Sequence, residues 1–547
     1  MTTHADRSGL NGPPAPPGPP NILLITGDHM RWDTIAGRSV CRTPHVNALV
    51  AEGLCFERAY TPVPICCPAR AALLTGAYPW HNGVYHQVHV PMSLNPDLAP
   101  DVETFSQRLR QVGYRLGYVG KWHASRLRGP LDFGYHEYRA PVQVTLTPEA
   151  ARRNRVDGYG PTIRDTRRRY EVVRRRSVTW PGGDTHTLWL EIDGEFEATQ
   201  EYHIATTAAQ LIREYAASGR PWHIEVHFPE PHDPYKPLLT FLAQYRPEDV
   251  EIPRNYLEET FQNKPRLLAR EASLWQELSP EDVREVLRHF YAYCQQVDAA
   301  VGIVLDALRE VGQVNNTLTV FTADHGDNVG AHRCMVKGWT PYEETIRIPL
   351  VARWPGVIPA RSRTHALVQL QDLAHTFTAV AGAPALPHAD GRDLLPLMMR
   401  PEAAEADWPA YRLNCYYGCE LLYTQRIAIG QRYKYVFNGF DWDELYDLEA
   451  DPGEVRNVID EPAYAEVAQD LRDALWALMF EHYDPYTQLM WGAARYLIGP
   501  RGGLPAEKRP WLREHLQTPN HPFVTKQPGR GEGARSEERL ARNEGHE

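Results

Sequence analysis

No stretch of this chain is long and apolar enough to suggest a membrane span, and its first residues lack a basic start followed by an apolar core. Those absences predict a cytoplasmic protein with no membrane partner. Cysteine is scarce, eight in 547 residues, and neither Cys66-Cys67 nor the Cys415/Cys419 pair has the spacing of a structural zinc site. A disulfide framework is not expected either, so the thiols read as reduced. Positive charge is in deficit: 58 Lys and Arg face 69 Asp and Glu, a net charge of -11. A general nucleic-acid partner would need a basic face, which excludes that class but not a local anion site. No internal repeat is evident.

What the chain does have is length and 43% hydrophobic composition, enough for a large core and more than one domain. The run Ile22-Leu23-Leu24-Ile25 ends in Thr26-Gly27-Asp28-His29, and Leu318-Thr319-Val320-Phe321 ends in Thr322-Ala323-Asp324-His325-Gly326. Short continuous apolar runs suit parallel strands covered on both faces, and ligands of open α/β sheets collect at the carboxyl edge of such strands. Two carboxylates and two imidazoles delivered to that edge form a mixed oxygen and nitrogen set suited to a divalent cation. Further strands are predicted at 115–119, 223–228 and 350–354. Helical periodicity at 201–215 and 281–311, the second with Phe290, Cys294, Val297, Val301, Val304, Leu305 and Leu308 in a stripe, predicts core helices. Residues 426–429 and 433–437, separated by Gly430-Gln431-Arg432, read as a hairpin.

Residues 66–76 carry the strongest chemical signal. Cys66, Pro68 and Arg70 open an Ala/Leu-rich helix whose stop is Gly76. This sets a thiol beside a guanidinium at a positive helix end, where an anionic ester could dock.

Taken in order, Cys66-x-Pro68-x-Arg70, Gly120-Lys121-Trp122-His123, Pro231-His232, Asp324-His325-Gly326, Lys337, and Glu444-Leu445-Tyr446-Asp447-Leu448 with Asp451-Pro452 resemble the sulfatase family of the alkaline-phosphatase-like superfamily over most of the chain. The resemblance implies an α/β fold with a mixed, mostly parallel sheet between helices and a smaller C-terminal α+β domain carrying an antiparallel sheet. It implies a hydrolase that cleaves a sulfate monoester, on a small molecule or a saccharide, to the alcohol and inorganic sulfate. Cys66, rather than Cys67, is then the residue that a formylglycine-generating enzyme converts to Cα-formylglycine. One hydroxyl of the hydrated aldehyde attacks sulfur; the other is then deprotonated, and the aldehyde re-forms as sulfate leaves. By the same resemblance Asp28, His29, Asp324, His325 and residue 66 hold one divalent ion, calcium first and manganese as the alternative. Arg70 holds the diol, Lys121 and Lys337 bind sulfate oxygens, His123 is the base and His232 the acid at the leaving oxygen.

Two departures bear on this expectation. Many sulfatases carry Asp-Asp where this chain has Asp28-His29, and Ala69 stands where serine is common. The first leaves phosphonate monoester or phosphodiester hydrolysis on the same scaffold as an alternative; a metal-binding homologue with unmodified Cys66 is another. The expected organisation is a disordered Pro-rich extension at 1–20, a catalytic domain at 21–389, an antiparallel-sheet subdomain at 390–482, an extension at 483–526 and a disordered tail at 527–547. Trp, Tyr and Leu side chains in 491–512 could pack on the body or on another subunit, so a homo-oligomer is left open. Arginines at 152, 153, 155, 167–169 and 174–176 read as a solvated, salt-bridged insertion, or alternatively as an entrance that attracts polyanionic substrates.

Overall fold

The computed structural model describes residues 18–488, apart from 92, 143, 157–169, 339, 388–389, 420–421 and 440, together with Tyr496. It contains fourteen described strands. Those of the main sheet are β1 (Asn21–Gly27), β2 (Leu54–Tyr60), β3 (Arg115–Gly120) and β4 (Glu137–Arg139); β5 (Tyr170–Thr179) and β6 (Thr185–Gly194) form a separate hairpin. The main sheet resumes with β7 (Trp222–His227), β8 (Thr317–Ala323), β9 (Leu350–Arg353) and β10 (Ser362–Gln369), and the chain ends its sheets with β11 (Arg412–Gly418), β12 (Leu422–Ile429), β13 (Tyr433–Asn438) and β14 (Glu444–Asp447).

The eight-stranded sheet runs β10-β2-β9-β8-β1-β7-β3-β4. Every pairing in it is parallel except those of β9, which lies antiparallel to β2 and β8. Central strands covered on both faces must be apolar throughout, and Ile22, Leu23, Leu24 and Ile25 have no exposed surface. Strand register gathers the charged residues at one edge. Gly27 pairs with Ala323 and Thr26 with His227, so Asp28, Asp324 and the end of β7 emerge there side by side. On the next strand Gly120 takes φ +97°, and a Cβ there would stand 2.1 Å from the His227 carbonyl oxygen. Only glycine allows the backbone that close, and it lets Lys121 N–H donate to the same oxygen at 3.0 Å.

Helices Gln200–Ala216 and Pro280–Glu310 cover the sheet, as the 3.6-residue period predicts. The long one starts at Ser279, whose hydroxyl accepts Asp282 N–H at 3.1 Å while Asp282 returns to Ser279 N–H at 3.0 Å, and every residue of its apolar stripe is buried. The helix Cys66–Thr75 is different. All ten of its residues are buried, and it ends at Gly76 in the left-handed conformation (φ 67°), whose N–H bonds Ala72 O at 2.8 Å.

The four-stranded antiparallel sheet β11-β12-β13-β14 lies within the span 390–482, with helix Ala465–Glu481 packed on β12 and β13. The expected hairpin is β12-β13, closed by Gly430 N–H to Tyr433 O at 2.9 Å. Main-chain and side-chain bonds tie β11 to the body: Cys415 N–H donates to Pro62 O at 2.9 Å, and Tyr78 hydroxyl to Leu413 O at 2.7 Å. One compact unit runs through His482; a second begins at Tyr483 and holds the helical turn Pro485–Gln488. The sequence readings for 1–17, for the tail, for most of 491–512 and for Arg167–169 fall outside the described residues. Among the described residues no helix is long and apolar enough to cross a membrane.

The β5-β6 hairpin sits in the insertion. Arg174 pairs with Glu191 at 3.1 Å and Arg176 with Asp282 at 3.1 Å, while Arg153 pairs with Glu149 at 3.3 Å. These ion pairs are those of a solvated, salt-bridged surface. Bridges from Trp189 to Tyr235 and from Ile192 to Leu238 lay the hairpin along the segment that comes after Pro231-His232.

Candidate active site

The carboxyl edges of β8 and β1 deliver two Asp-His pairs to the buried N-terminus of the Cys66–Thr75 helix. Arg70, one turn into that helix, spans both carboxylates: Nε donates to Asp324 Oδ2 at 2.9 Å and one terminal nitrogen to Asp28 Oδ2 at 3.1 Å. Its other terminal nitrogen reaches Lys121 O at 3.0 Å and lies 3.2 Å from His227 Nδ1. Lys121 Nζ also contacts Asp28 Oδ2. Cys66 Sγ lies 3.1 Å from His325 Nε2 and 3.6 Å from Asp28 Oδ1. His325 Nδ1 faces the carbonyl of Gly326 at 2.8 Å, so this nitrogen carries a proton and Nε2 is the one turned to Cys66.

His29 takes φ +66°, which turns its ring into the same space. Its Nδ1 meets Asp327 Oδ2 at 2.7 Å, and Tyr235 hydroxyl donates to that same carboxylate at 2.9 Å. Its Nε2 contacts Lys337 Nζ, which lies 3.1 Å from His232 Nε2. The His232 ring, 33% exposed, packs 4.0 Å from that of His29 and forms the open side of the group. Its Nδ1 sits 3.0 Å from Asp233 Oδ1, and the other oxygen of Asp233 is 3.3 Å from His186 Nε2 on the inserted hairpin.

Donor atoms of Asp28, His29, Cys66 and His325 all lie within 4.8 Å of one another, and none of the four residues has exposed surface. Asp324 stands beside them, its Oδ1 accepting His325 N–H at 3.0 Å and His29 N–H at 3.4 Å. Two carboxylates, two imidazoles and a sulfur converging without water access match the donor set of a divalent ion. The cations now in contact with these groups, Arg70, Lys121 and Lys337, balance the same charge.

Electrostatics reflect the geometry. Burial raises the Asp28 carboxyl, but Lys121 and Arg70 outweigh it and hold the group well below the usual carboxylate range. Burial and Asp28 push the Cys66 thiol up; Lys337, Lys121 and His325 pull it further down, to about 6. Burial and then Lys337 hold His29 neutral, well below the usual imidazole range. Burial opposes the charge of His325, but Asp324 and Cys66 raise it above its ordinary value. Burial and then Lys121 hold His123 well below the usual imidazole range, so its ring is neutral.

Of the residues singled out from the sequence, Asp28, His29, Cys66, Arg70, Lys121, His232, Asp324, His325 and Lys337 come together in this one group. His123 lies behind Lys121, where its Nε2 is 3.0 Å from His89 Nδ1. Sequence reasoning passed over His227, Asp233, Asp327, Glu225 and His89. His227 had a signal, as the last residue of a buried strand at the carboxyl edge; Glu225 holds it at 2.7 Å. Asp233 and Asp327 stand within three positions of motif residues, but only the tertiary structure shows which imidazole each supports. For His89 the sequence offers no signal beyond its loop.

The sulfatase family model matches residues 20–383, and the model for the C-terminal region of N-sulphoglucosamine sulphohydrolase matches 330–481. The sulfatase YidJ of Escherichia coli K12 is 28% identical over 484 residues, covering 86% of this chain and 89% of the relative. Among solved structures, BT4656 in complex with D-glucosamine-2-N,6-O-disulfate superposes with a TM-score of 0.66 at 19% identity, over 85% of this chain and 99% of the other. The phosphonate monoester hydrolase of Agrobacterium radiobacter gives 0.66 at 23%, over 85% and 96%. At these identities the two structures establish a shared fold.

Proposed function

Because the chain belongs to the sulfatase family, we propose that it hydrolyses a sulfate monoester to the alcohol and inorganic sulfate, with residue 66 as Cα-formylglycine and one divalent ion as cofactors. The observation that carries this reading is the buried convergence of Asp28, His29, Cys66 and His325 under the Arg70 clamp. Asp28, His29, Asp324, His325 and residue 66 would hold the ion, which when bound supplies positive charge to the sulfate oxygens and acidity to the attacking hydroxyl. The attacking hydroxyl belongs to the hydrated aldehyde, and a formylglycine-generating enzyme is the partner this requires.

The side chains divide the remaining work. Arg70 fixes the spacing of Asp28 and Asp324 and screens them from each other. Lys121 and Lys337 would meet the sulfate oxygens with two ammonium groups, and their charge counts for more in a largely desolvated site. His232, half-exposed beside Lys337, is positioned to give a proton to the departing alkoxide. His123, held neutral, accepts the proton released when the second hydroxyl collapses. Aryl, alkyl and saccharide sulfates are all within this reading.

Metal analysis of the purified protein decides between calcium, which the resemblance implies, and manganese, which the imidazoles of His29 and His325 favour. His29 in place of a carboxylate also supports a second reading, hydrolysis of phosphonate monoesters or phosphodiesters. Protein co-expressed with a formylglycine-generating enzyme is assayed on p-nitrophenyl sulfate and p-nitrophenyl phenylphosphonate, with Cys66→Ala as control and the mass of the Cys66 peptide as the check on modification. Sulfate turnover that disappears in the control supports the first reading. Dominant phosphonate turnover moves the assignment to the second, and silence on both with modified residue 66 means that the pocket is too narrow for these aryl esters or that the site is inactive.

A further inference from the structure

The proposed chemistry uses Cys66 and leaves Cys67 without a part. Cys67 lies about 100° further round the helix, and two bonds tie it to the loop over it: its Sγ accepts Val88 N–H at 3.4 Å, and its own N–H donates to Gln87 Oε1 at 3.3 Å. The next residue of that loop is His89. With the loop pinned, the His89 ring lies against that of His123, centroids 4.9 Å apart and planes 28° apart, with Nδ1 and Nε2 3.0 Å from each other. Cys67 Sγ and one nitrogen of each imidazole all lie within 4.8 Å of one another. Cys67 and His123 are buried and His89 is exposed, so this trio opens to solvent on one side.

His123 adds an independent observation. Its backbone takes φ +60°, in the left-handed region, and its ring Nδ1 is buried with no hydrogen-bond partner among the described residues. Its Nε2 is the nitrogen turned to His89, beside Cys67. A tetrahedral ion with bonds near 2.3 Å to sulfur and 2.0 to 2.1 Å to nitrogen sets its donors roughly 3.3 to 3.6 Å apart. The two nitrogens therefore open by a few tenths of an ångström, the sulfur, within 4.8 Å of both, and the nitrogens close on each other by up to about 1.2 Å, and solvent supplies the fourth position.

We propose that Cys67, His89 and His123 form a second metal site, selective for a thiophilic ion such as Zn2+, and that its occupation inhibits the enzyme by taking His123 Nε2. One sulfur and two imidazoles select zinc over calcium or manganese, which prefer oxygen. As the metal–sulfur bond forms, the Cys67 S–H bond breaks and its proton passes to solvent; both imidazoles bind neutral, His89 keeping its proton on Nε2. The inhibition rests on the part proposed for His123, whereas the binding does not.

Co2+ is the probe, read by absorption and without substrate. In full-length Cys66→Ala protein, where the first group has lost its thiol, Co2+ should produce a thiolate-to-cobalt charge-transfer band that one equivalent of Zn2+ removes. The band should vanish in Cys66→Ala/Cys67→Ala, and the exposed substitution His89→Ala should weaken Co2+ binding by about tenfold or more. No band in Cys66→Ala, or a band that survives loss of Cys67, overturns the site whatever the enzyme's substrate proves to be. In the modified enzyme, Zn2+ inhibition should reverse with chelator, and His89→Ala should raise the inhibitory concentration about tenfold relative to its own zinc-free rate. Equal inhibition of the two proteins overturns the inhibitory role.

Discussion

At Arg70 a single guanidinium meets two carboxylates and a main-chain carbonyl, and it is almost completely buried. Lysine keeps the charge but cannot span Asp28 and Asp324 with a planar fork, so Arg70→Lys tests geometry rather than charge. We expect kcat/KM on an aryl sulfate to fall by about 10²-fold or more, with a lower melting temperature because a buried carboxylate loses part of its counter-charge; equal rates for the two proteins would remove the clamp from the mechanism. Asp327 makes a different kind of claim. It holds His29 Nδ1 at 2.7 Å and so turns Nε2 towards the other donors. Asp327→Asn should weaken binding of the divalent ion by about 10 to 100-fold, read by competition with a chromogenic chelator. The Asp-His pairs were legible in the sequence because an apolar strand that stops at a charged residue marks its own carboxyl end. Asp327, Asp233 and His227 were not, since each acts through a partner that the chain brings near only after folding.

Among the elements, the helix Cys66–Thr75 was readable from both ends, through the Cys-x-Pro-x-Arg start and the glycine stop. The long helix was readable from its stripe, and the β12-β13 hairpin from its turn. The β5-β6 hairpin was not. Its first strand is exposed along most of its length, so no apolar face imposes a period of two, and arginines at 174–176 read as charge rather than strand. The reversal of β9 was equally hidden, because strand direction is set by connections and not by composition. One contact between elements carries a stability prediction. Asp298, on the long helix, accepts His45 N–H at 3.0 Å and Val46 N–H at 2.8 Å, the unsatisfied amides at the start of helix Pro44–Glu52. Asp298→Ala should cost about 1.5 to 3 kcal/mol, measured as a shift in urea unfolding; a variant as stable as the parent would show that water serves those amides equally well.

For the whole molecule, charge is buried outside the candidate site as well as in it. Lys264, with no exposed side-chain surface, contacts Glu259 Oε2 at 2.6 Å and Glu454 O at 2.7 Å, and His332 Nδ1 lies 2.6 Å from the same Glu259 oxygen. Burial raises Glu259, but His332 and Lys264 outweigh it and hold the carboxyl at about 2, below its ordinary 4.5. A depressed carboxyl contributes stability that is present above the unfolded value and lost as pH falls from 4.5 towards 2, on the order of 3 kcal/mol. Glu259→Gln leaves Lys264 buried without its counter-charge and should cost about 3 to 5 kcal/mol at pH 7. The gap between parent and variant should narrow in urea titrations at pH 3, and a constant gap would count against the ion pair. Burial of the helix Cys66–Thr75 has a consequence of another kind, one of timing. A thiol with no exposed surface, on a helix buried along its whole length, is closed to the active site of another protein in the finished fold. Whatever alters Cys66 must therefore reach it while the chain is still extended. That interval opens when residue 66 is first made, and the sheet is not complete until Ser362–Gln369, almost three hundred residues later, has paired with Leu54–Tyr60.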